Sequence, residues 1–205
     1  MAIKTQDQLT EQTTTDPATF WLNGQVSDTG DQKKVQAGNA PFQLEGEVGW
    51  ANYVDTLYTT GSPLELRTGN SWAAQLTCNG LGSGTTATQW PSGKQVPWDI
   101  ATNKIMPAAN GDAYIARVLM KAQDGASTTL LDLDLDIGGA IGEVWRESKT
   151  IAKGASVETS LSYVIPLFVG STFLANGGTL TLSTITTDMD VWDIQIFLER
   201  TYYAH

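Results

Sequence analysis

The 205-residue chain predicts an all-β protein, an antiparallel two-sheet sandwich of Greek-key or jelly-roll type with a short extended N-terminal arm. Three observations lead there. Apolar and polar residues alternate with period two in run after run, the spacing of a strand with one buried face. Clusters of Gly, Asn, Asp, Ser and Thr separate these runs at intervals of about 8–15 residues. No stretch carries a competing 3.6-residue apolar stripe. About eight to ten strands result, which is the pattern of a sandwich.

Residues 1–19 stand apart. Thr5-Gln6-Asp7-Gln8 has the Thr-x-x-Gln form of a capping box and allows one helical turn over 7–11. The Thr-rich stretch after it offers nothing to bury and reads as extended or mobile, either a frayed terminus or an arm that orders on docking to a partner. We take 1–19 as an arm and 20–205 as the sandwich domain. Phe20-Trp21-Leu22 is a first apolar run, closed by the turn signal Asn23-Gly24, and 27–40 reads as a polar loop. Phe42, Leu44, Val48 and Trp50 share one parity and form the expected core face of the next strand, with Gly46 as a bulge. Tyr53, Leu57 and Tyr58 fit no run. Leu64–Arg67 and Trp72–Leu76 resume the alternation. Residues 79–95 form a long loop around Trp90, a length that points to function or mobility.

Residues 112–120 are a strand with Tyr114, Val118 and Met120 on its core face, and 123–127 turn the chain. Leu131, Leu133, Leu135 and Ile137 then alternate with Asp132, Asp134 and Asp136. The last third is the organising block. Val157 to Phe168, Thr179 to Ser183 and Trp192 to Leu198 read as three strands. Asn176-Gly177-Gly178 and Thr187-Asp188-Met189-Asp190 break them.

A formal net charge of −10 argues against nucleic acid, whose phosphates demand clustered Lys and Arg. The single cysteine, Cys78, excludes an intrachain disulfide framework and reads as buried filler. The first residues lack an apolar signal core, and no run reaches membrane-spanning length, so neither a membrane nor export by a visible signal is expected.

Chemistry is poorly supplied, and we expect no enzyme, no catalytic residue, no metal and no cofactor. The only histidine, His205, ends the chain, so a His-based triad would hang on a free terminus. One His and one Cys cannot fill a zinc site. Glu45, Glu47 and Glu143 offer carboxylates for glycoside chemistry, but no pair is singled out. The Asp132/Asp134/Asp136 ladder suits a hard cation in ligand type. Its members, however, sit roughly 6.5–7 Å apart along a strand, so it reads as a solvated face pairing with Arg117 or Arg146, or as an interface ion network. Trp21, Trp50, Trp72 and Trp192 lie in strand patterns and read as core or subunit contacts. Trp90 and Trp98 lie in or beside the long loop, where aromatics either pack or stack on sugars.

The run Tyr163–Val169 is apolar on both parities, with Pro166 suiting an edge or bulge. Val191 and Phe197 likewise interrupt the polar face of the last strand. An edge strand with two apolar faces needs a cover, so a closed homo-oligomer is expected. Tyr163, Ile165, Leu167, Phe168 and Phe197 are its candidate interface residues.

Several of these segments resemble a group of tailed-bacteriophage virion structural proteins with a TNF-like jelly-roll domain. They are IKTQDQL near the N-terminus, PWDIATNKI, GDAYIARVLMKA, LDLDLDIGGAIG followed by KGA, YVIPLFVGSTFLANGGTLTL and VWDIQIFLER. The similarity covers most of Trp98–Arg200 and carries no catalytic signature. It implies a homotrimer that decorates the head, forms a head fibre or tips a tail fibre. It also implies an N-terminal segment that attaches to the virion, with Ile3, Lys4 and Leu9 as candidate capsid-docking residues. No stalk precedes the domain, which favours a capsid decoration (cement) protein. Its partners would be copies of itself and the major capsid protein, and its place the capsid surface after synthesis in the host cytoplasm. The alternative is a tail-fibre or receptor-binding module meeting host-surface glycan through Trp90 and Trp98.

Overall fold

The computed structural model describes the backbone of 21–25 and 32–36, and residues 48–67, 73–91, 93–124, 129–151, 157–184 and 187–203 in full. The chain forms two compact units, Met1–Glu45 and Gly46–His205. The 7–11 turn, the Phe42–Glu47 part of the Phe42–Trp50 run and the boundary drawn at 19/20 lie outside the described residues.

In the first unit, β1 (Trp21–Gln25) pairs antiparallel with β2 (Gln32–Gln36), Asn23 opposite Lys34. Asn23-Gly24 therefore lies inside a strand rather than turning the chain, and part of the expected 27–40 loop is its partner.

The second unit contains β3 (Gly49–Val54), β4 (Leu64–Leu66), β5 (Ala73–Gln75), β6 (Trp98–Asp99) and β7 (Lys104–Ile105), then β8 (Ala113–Asp124), β9 (Thr129–Asp136), β10 (Glu143–Ile151) and β11 (Thr159–Phe168). The helix α1 (Ser171–Asn176), β12 (Gly178–Thr184) and β13 (Met189–Tyr202) complete it. One sheet runs β11-β8-β13-β3, with β4 beside β13; the other runs β10-β9-β12-β7-β6, with β5 also on β12. Every pairing is antiparallel. Consider the eight principal strands in chain order: β3, β5, β8, β9, β10, β11, β12 and β13. The front sheet takes the sixth, third, eighth and first, and the back sheet the fifth, fourth, seventh and second. That interleaving is a jelly roll. Leu133, Leu180 and Leu182 from the back sheet and Tyr163, Ile165 and Ile196 from the front sheet are buried in its interior.

Three local departures from the expected pattern have physical causes. Ala51 and Tyr53 point into the core, whereas Val48 and Trp50 are exposed. Alternation gives two faces but does not say which is inside. Second, Val191 is buried with Met189, and so are Ile194, Ile196 and Leu198 of the opposite parity. The register slips between Trp192 and Gln195, where Asp193 adopts φ 52°. A bulge adds one residue and switches which parity faces in. The strand also starts at Met189, inside the stretch expected to be a break.

Third, the helix α1 interrupts a region expected to be strand and turn. Six residues are too few to show a helical period. Phe173 fixes it by being buried, and Gly177 ends it by donating its amide to the Phe173 carbonyl at 2.9 Å. Gly177 has φ 70° and ψ −175°, a region open essentially to glycine alone. A Cβ there would lie 2.6 Å from Met106 Sδ and 3.0 Å from the Ile105 carbonyl oxygen. Gly177→Ala is expected to lower stability by about 2–3 kcal/mol, measured by urea unfolding. A loss under about 0.5 kcal/mol, the range of an ordinary surface change, would show that the turn relaxes freely.

Candidate functional site

The two sheets present unlike outer faces. On the back sheet, β9 offers Asp132, Asp134 and Asp136, flanked in register by Ser183, Thr181 and Thr179 of β12 and by Ser148 and Arg146 of β10. Every one of these is polar. Asp132 and Asp134 are buried rather than solvated, because β9 is an inner strand with neighbours on both sides. Arg146, one of the two arginines expected, forks onto Asp134 through Nε and Nη2 and also reaches Glu143 at 2.7 Å. Asp134 correspondingly raises the Arg146 guanidinium further. Arg117 is on the other sheet. Among the described residues no three His, Cys, Asp or Glu are placed to hold a metal ion.

The outer face of the front sheet is different. The edge strand β11 turns Ser160, Ser162, Val164, Pro166 and Phe168 outward, and none of them is charged. Phe168 is 81% exposed and Val164 49%. Across the sheet, Val164 aligns with Arg117 of β8, Phe197 of β13 and Asn52 of β3. The Trp50 and Phe197 rings stack with centroids 5.6 Å apart, and the Arg117 guanidinium lies 5.8 Å from the Phe197 centroid. Leu119 is exposed one pair along. Charge gathers at one end, where Lys121 bridges Glu158 at 3.1 Å and Asp193 at 3.2 Å.

The five candidate interface residues thus separate. Phe168 and Phe197 lie on this outer face, together with Val164, Leu119 and Trp50, which the sequence reading did not assign to it. Tyr163, Ile165 and Leu167 are buried inside the sandwich, and the Tyr163 hydroxyl donates to the Leu131 carbonyl at 2.9 Å. Their burial is complete within one protomer, so they are core residues. Among the described residues, strand β11 lies at the sheet edge expected from Pro166. The docking candidates Ile3, Lys4 and Leu9 lie outside the described residues.

The glycan candidates are corrected. Trp90 is 6% exposed and Trp98 1%. Trp90 stacks on Tyr114 at 5.9 Å and donates Nε1–H to the Gln95 carbonyl at 2.8 Å. Trp98 donates Nε1–H to the Cys78 carbonyl at 3.1 Å. Both rings face protein, and neither has a face free for a sugar. Cys78 itself is fully buried, as expected, and burial pushes its thiol up to about 11, which keeps it protonated near neutrality.

Sequence reading missed a buried ionic cluster beneath Trp90. Asp112, just before β8, and Arg200, near the end of β13, are both buried. Arg200 Nη2 donates to both Asp112 oxygens, at 3.0 and 2.8 Å. The Tyr114 hydroxyl donates to Asp112 Oδ2 at 2.8 Å and accepts from the Ala108 amide at 3.0 Å. Burial, opposed by the Ala108 bond, pushes the Tyr114 phenol well above its ordinary value. The Tyr203 ring covers the Arg200 guanidinium at 4.4 Å and meets Lys94 Nζ at 4.6 Å. These contacts lock the start of β8 to the end of β13 and organise one end of the sandwich.

No family model matches the chain, and no curated protein matches it. Among solved structures it is similar to the Eiger TNF of S. frugiperda, with 14% identity over 78% of this chain and 96% of that one, at a TM-score of 0.47. It is similar to the globular domain of zebrafish complement 1qA protein, with 12% identity, 78% and 100% coverage and a TM-score of 0.39. A third similarity, to the enzymatically active domain of bacteriophage CBA120 tailspike protein 4, has 12% identity, covers 79% of this chain and 21% of that one, and scores 0.24. At these values the jelly-roll assignment stands on the strand order itself.

Proposed function

We propose that this protein is a bacteriophage virion structural protein, a homotrimeric capsid decoration protein that covers its front-sheet face by self-association and attaches to the head through its N-terminal arm. The carrying observation is the contrast between the two outer faces: carboxylates and hydroxyls on one, and on the other the exposed Val164, Phe168 and Leu119 and the stacked Trp50–Phe197 pair, interrupted by Arg117, beside an edge strand without charge. Such an edge invites pairing or coverage, and exposed large apolar side chains gathered on one face favour an interaction surface. The virion, the trimer and the arm come from the sequence resemblance; the exposed apolar side chains of the front face support self-association alone. The capsid surface is its proposed location and the major capsid protein its second partner. The receptor-binding alternative loses its carriers, because Trp90 and Trp98 are core.

Two experiments test this reading. Val164→Lys combined with Phe168→Glu changes only exposed side chains, so folding is expected to be retained while the assembly dissociates at least tenfold more readily. An unchanged association constant in sedimentation would remove this face from the interface. Deleting 1–19 is expected to abolish binding to phage heads and leave the sandwich folded, by circular dichroism. Heads that bind the shortened chain as well as the full one would refute docking by the arm.

A further inference from the structure

Most of the charges on the outer face of the front sheet are satisfied within the protomer. At one end Lys121 is held by Glu158 and Asp193, and Arg67 bridges Glu65 at 2.8 Å and Asp190 at 2.7 Å. The neutral polar groups in the middle also pair, Gln195 donating to Asn52 at 2.7 Å. Arg117 and Glu199 are different. Among the described residues, the Arg117 guanidinium makes no hydrogen bond and no ion pair, only its approach to the Phe197 ring. The Glu199 carboxylate makes neither. Leu198 and Arg200 are buried, so Glu199 between them turns outward with Phe197. Arg117 is exposed and Glu199 partly exposed, with its carboxylate oxygens not enclosed. Both charges can therefore be met from outside.

Their neighbours across the sheet are apolar. In register, Arg117 lies between Val164 and Phe197, and Glu199 between Ile115 and Trp50. The two charges stand diagonally on β8 and β13, a spacing of roughly 7–8 Å that long side chains can span. The guanidinium nevertheless lies toward the Phe197 ring and does not close on Glu199.

We infer that Arg117 of one protomer pairs with Glu199 of a second copy when the front-sheet face is covered. This pairing rests on the self-association proposed above. Covering Val164, Phe197 and Trp50 takes the two charges between them out of water, and a buried charge without a partner is costly. A second copy offers each of them the opposite charge, unpaired, on the same face. One unpaired cation and one unpaired anion make the face complementary to itself. In a closed ring each protomer gives its Arg117 to one neighbour and its Glu199 to the other. Apolar contact is non-directional, whereas such a pair fixes the register of the two copies.

The test is sedimentation equilibrium of the full chain and of charge-reversed variants, each checked for folding by circular dichroism. Arg117→Glu and Glu199→Arg are each expected to weaken self-association by about tenfold or more, because like charges then meet. The double reversal is expected to return to within about threefold of the native constant. An equimolar mixture of the two single variants is expected to associate more tightly than either alone. Only pairing between chains gives that result, since each single variant carries two like charges. If a reversal does not fold, Arg117→Gln and Glu199→Gln decide: the double neutral variant is expected to be no weaker than either single one. The pairing is overturned if the native chain associates and either reversal leaves the constant unchanged. It is likewise overturned if the double reversal is no better than the singles, if the mixture gains nothing, or if the neutral changes add. A native chain that stays at the protomer mass would instead remove the self-association reading, and this pair with it.

Discussion

Arg200→Ala is expected to destabilise the protein by about 3–5 kcal/mol in urea unfolding at neutral pH, the size of loss seen when one partner of a buried ion pair is removed. Both side chains are fully buried, so the truncation leaves the Asp112 carboxylate with its charge uncompensated where water cannot reach it. Asp112→Ala is expected to be about as damaging, because it strands the guanidinium and takes the acceptor from Tyr114. The double replacement Asp112→Leu with Arg200→Met removes both charges and keeps apolar volume. It is expected to be no worse than either single change, since a buried pair and its hydrophobic substitute are often close in stability. Single changes costing under about 1 kcal/mol would show that the pair does not organise this end of the sandwich.

Trp98→Ala is expected to cost about 3–5 kcal/mol. The ring is almost wholly buried and its Nε1–H donates to Cys78. Removing it opens a large cavity and takes the donor from the Cys78 carbonyl. A tryptophan kept as a sugar platform would project into solvent, and its removal would leave stability within about 0.5 kcal/mol. Chemical denaturation thus separates the two roles without any ligand. A loss below about 1 kcal/mol, with the fold retained, would return Trp98 to the list of contact candidates.

Much of the sandwich was legible because burial imposes period two on every long strand. Leu131, Leu133 and Leu135 on β9 and Tyr114, Val118 and Met120 on β8 all face the core as their parity demanded. What was illegible has specific causes. Two-residue strands such as β6 and β7 carry no period. The Asp193 bulge reverses parity within one strand, so Val191 looked like an interruption of a polar face when it is core. For Trp50 the alternation was clear and its direction was not, because Ala51 and Tyr53 give the opposite parity an inward claim. The Asp112–Arg200 pair joins residues 88 apart in sequence, and no local signal announces it. A buried ion pair reads in sequence as two ordinary charges near strand ends. For the candidate face, the doubly apolar β11 run was the useful signal. It marked the strand correctly as an edge, while the side chains turned outward, Val164 and Phe168, were those of the minority parity.

Sedimentation equilibrium of the full chain at micromolar concentration decides whether self-association covers the front-sheet face. A homotrimer closed over the front-sheet face predicts a single species at three times the protomer mass of 22.0 kDa. A species that remains at the protomer mass throughout that range would contradict the account, because the exposed Val164 and Phe168 side chains would then lie uncovered in the working protein.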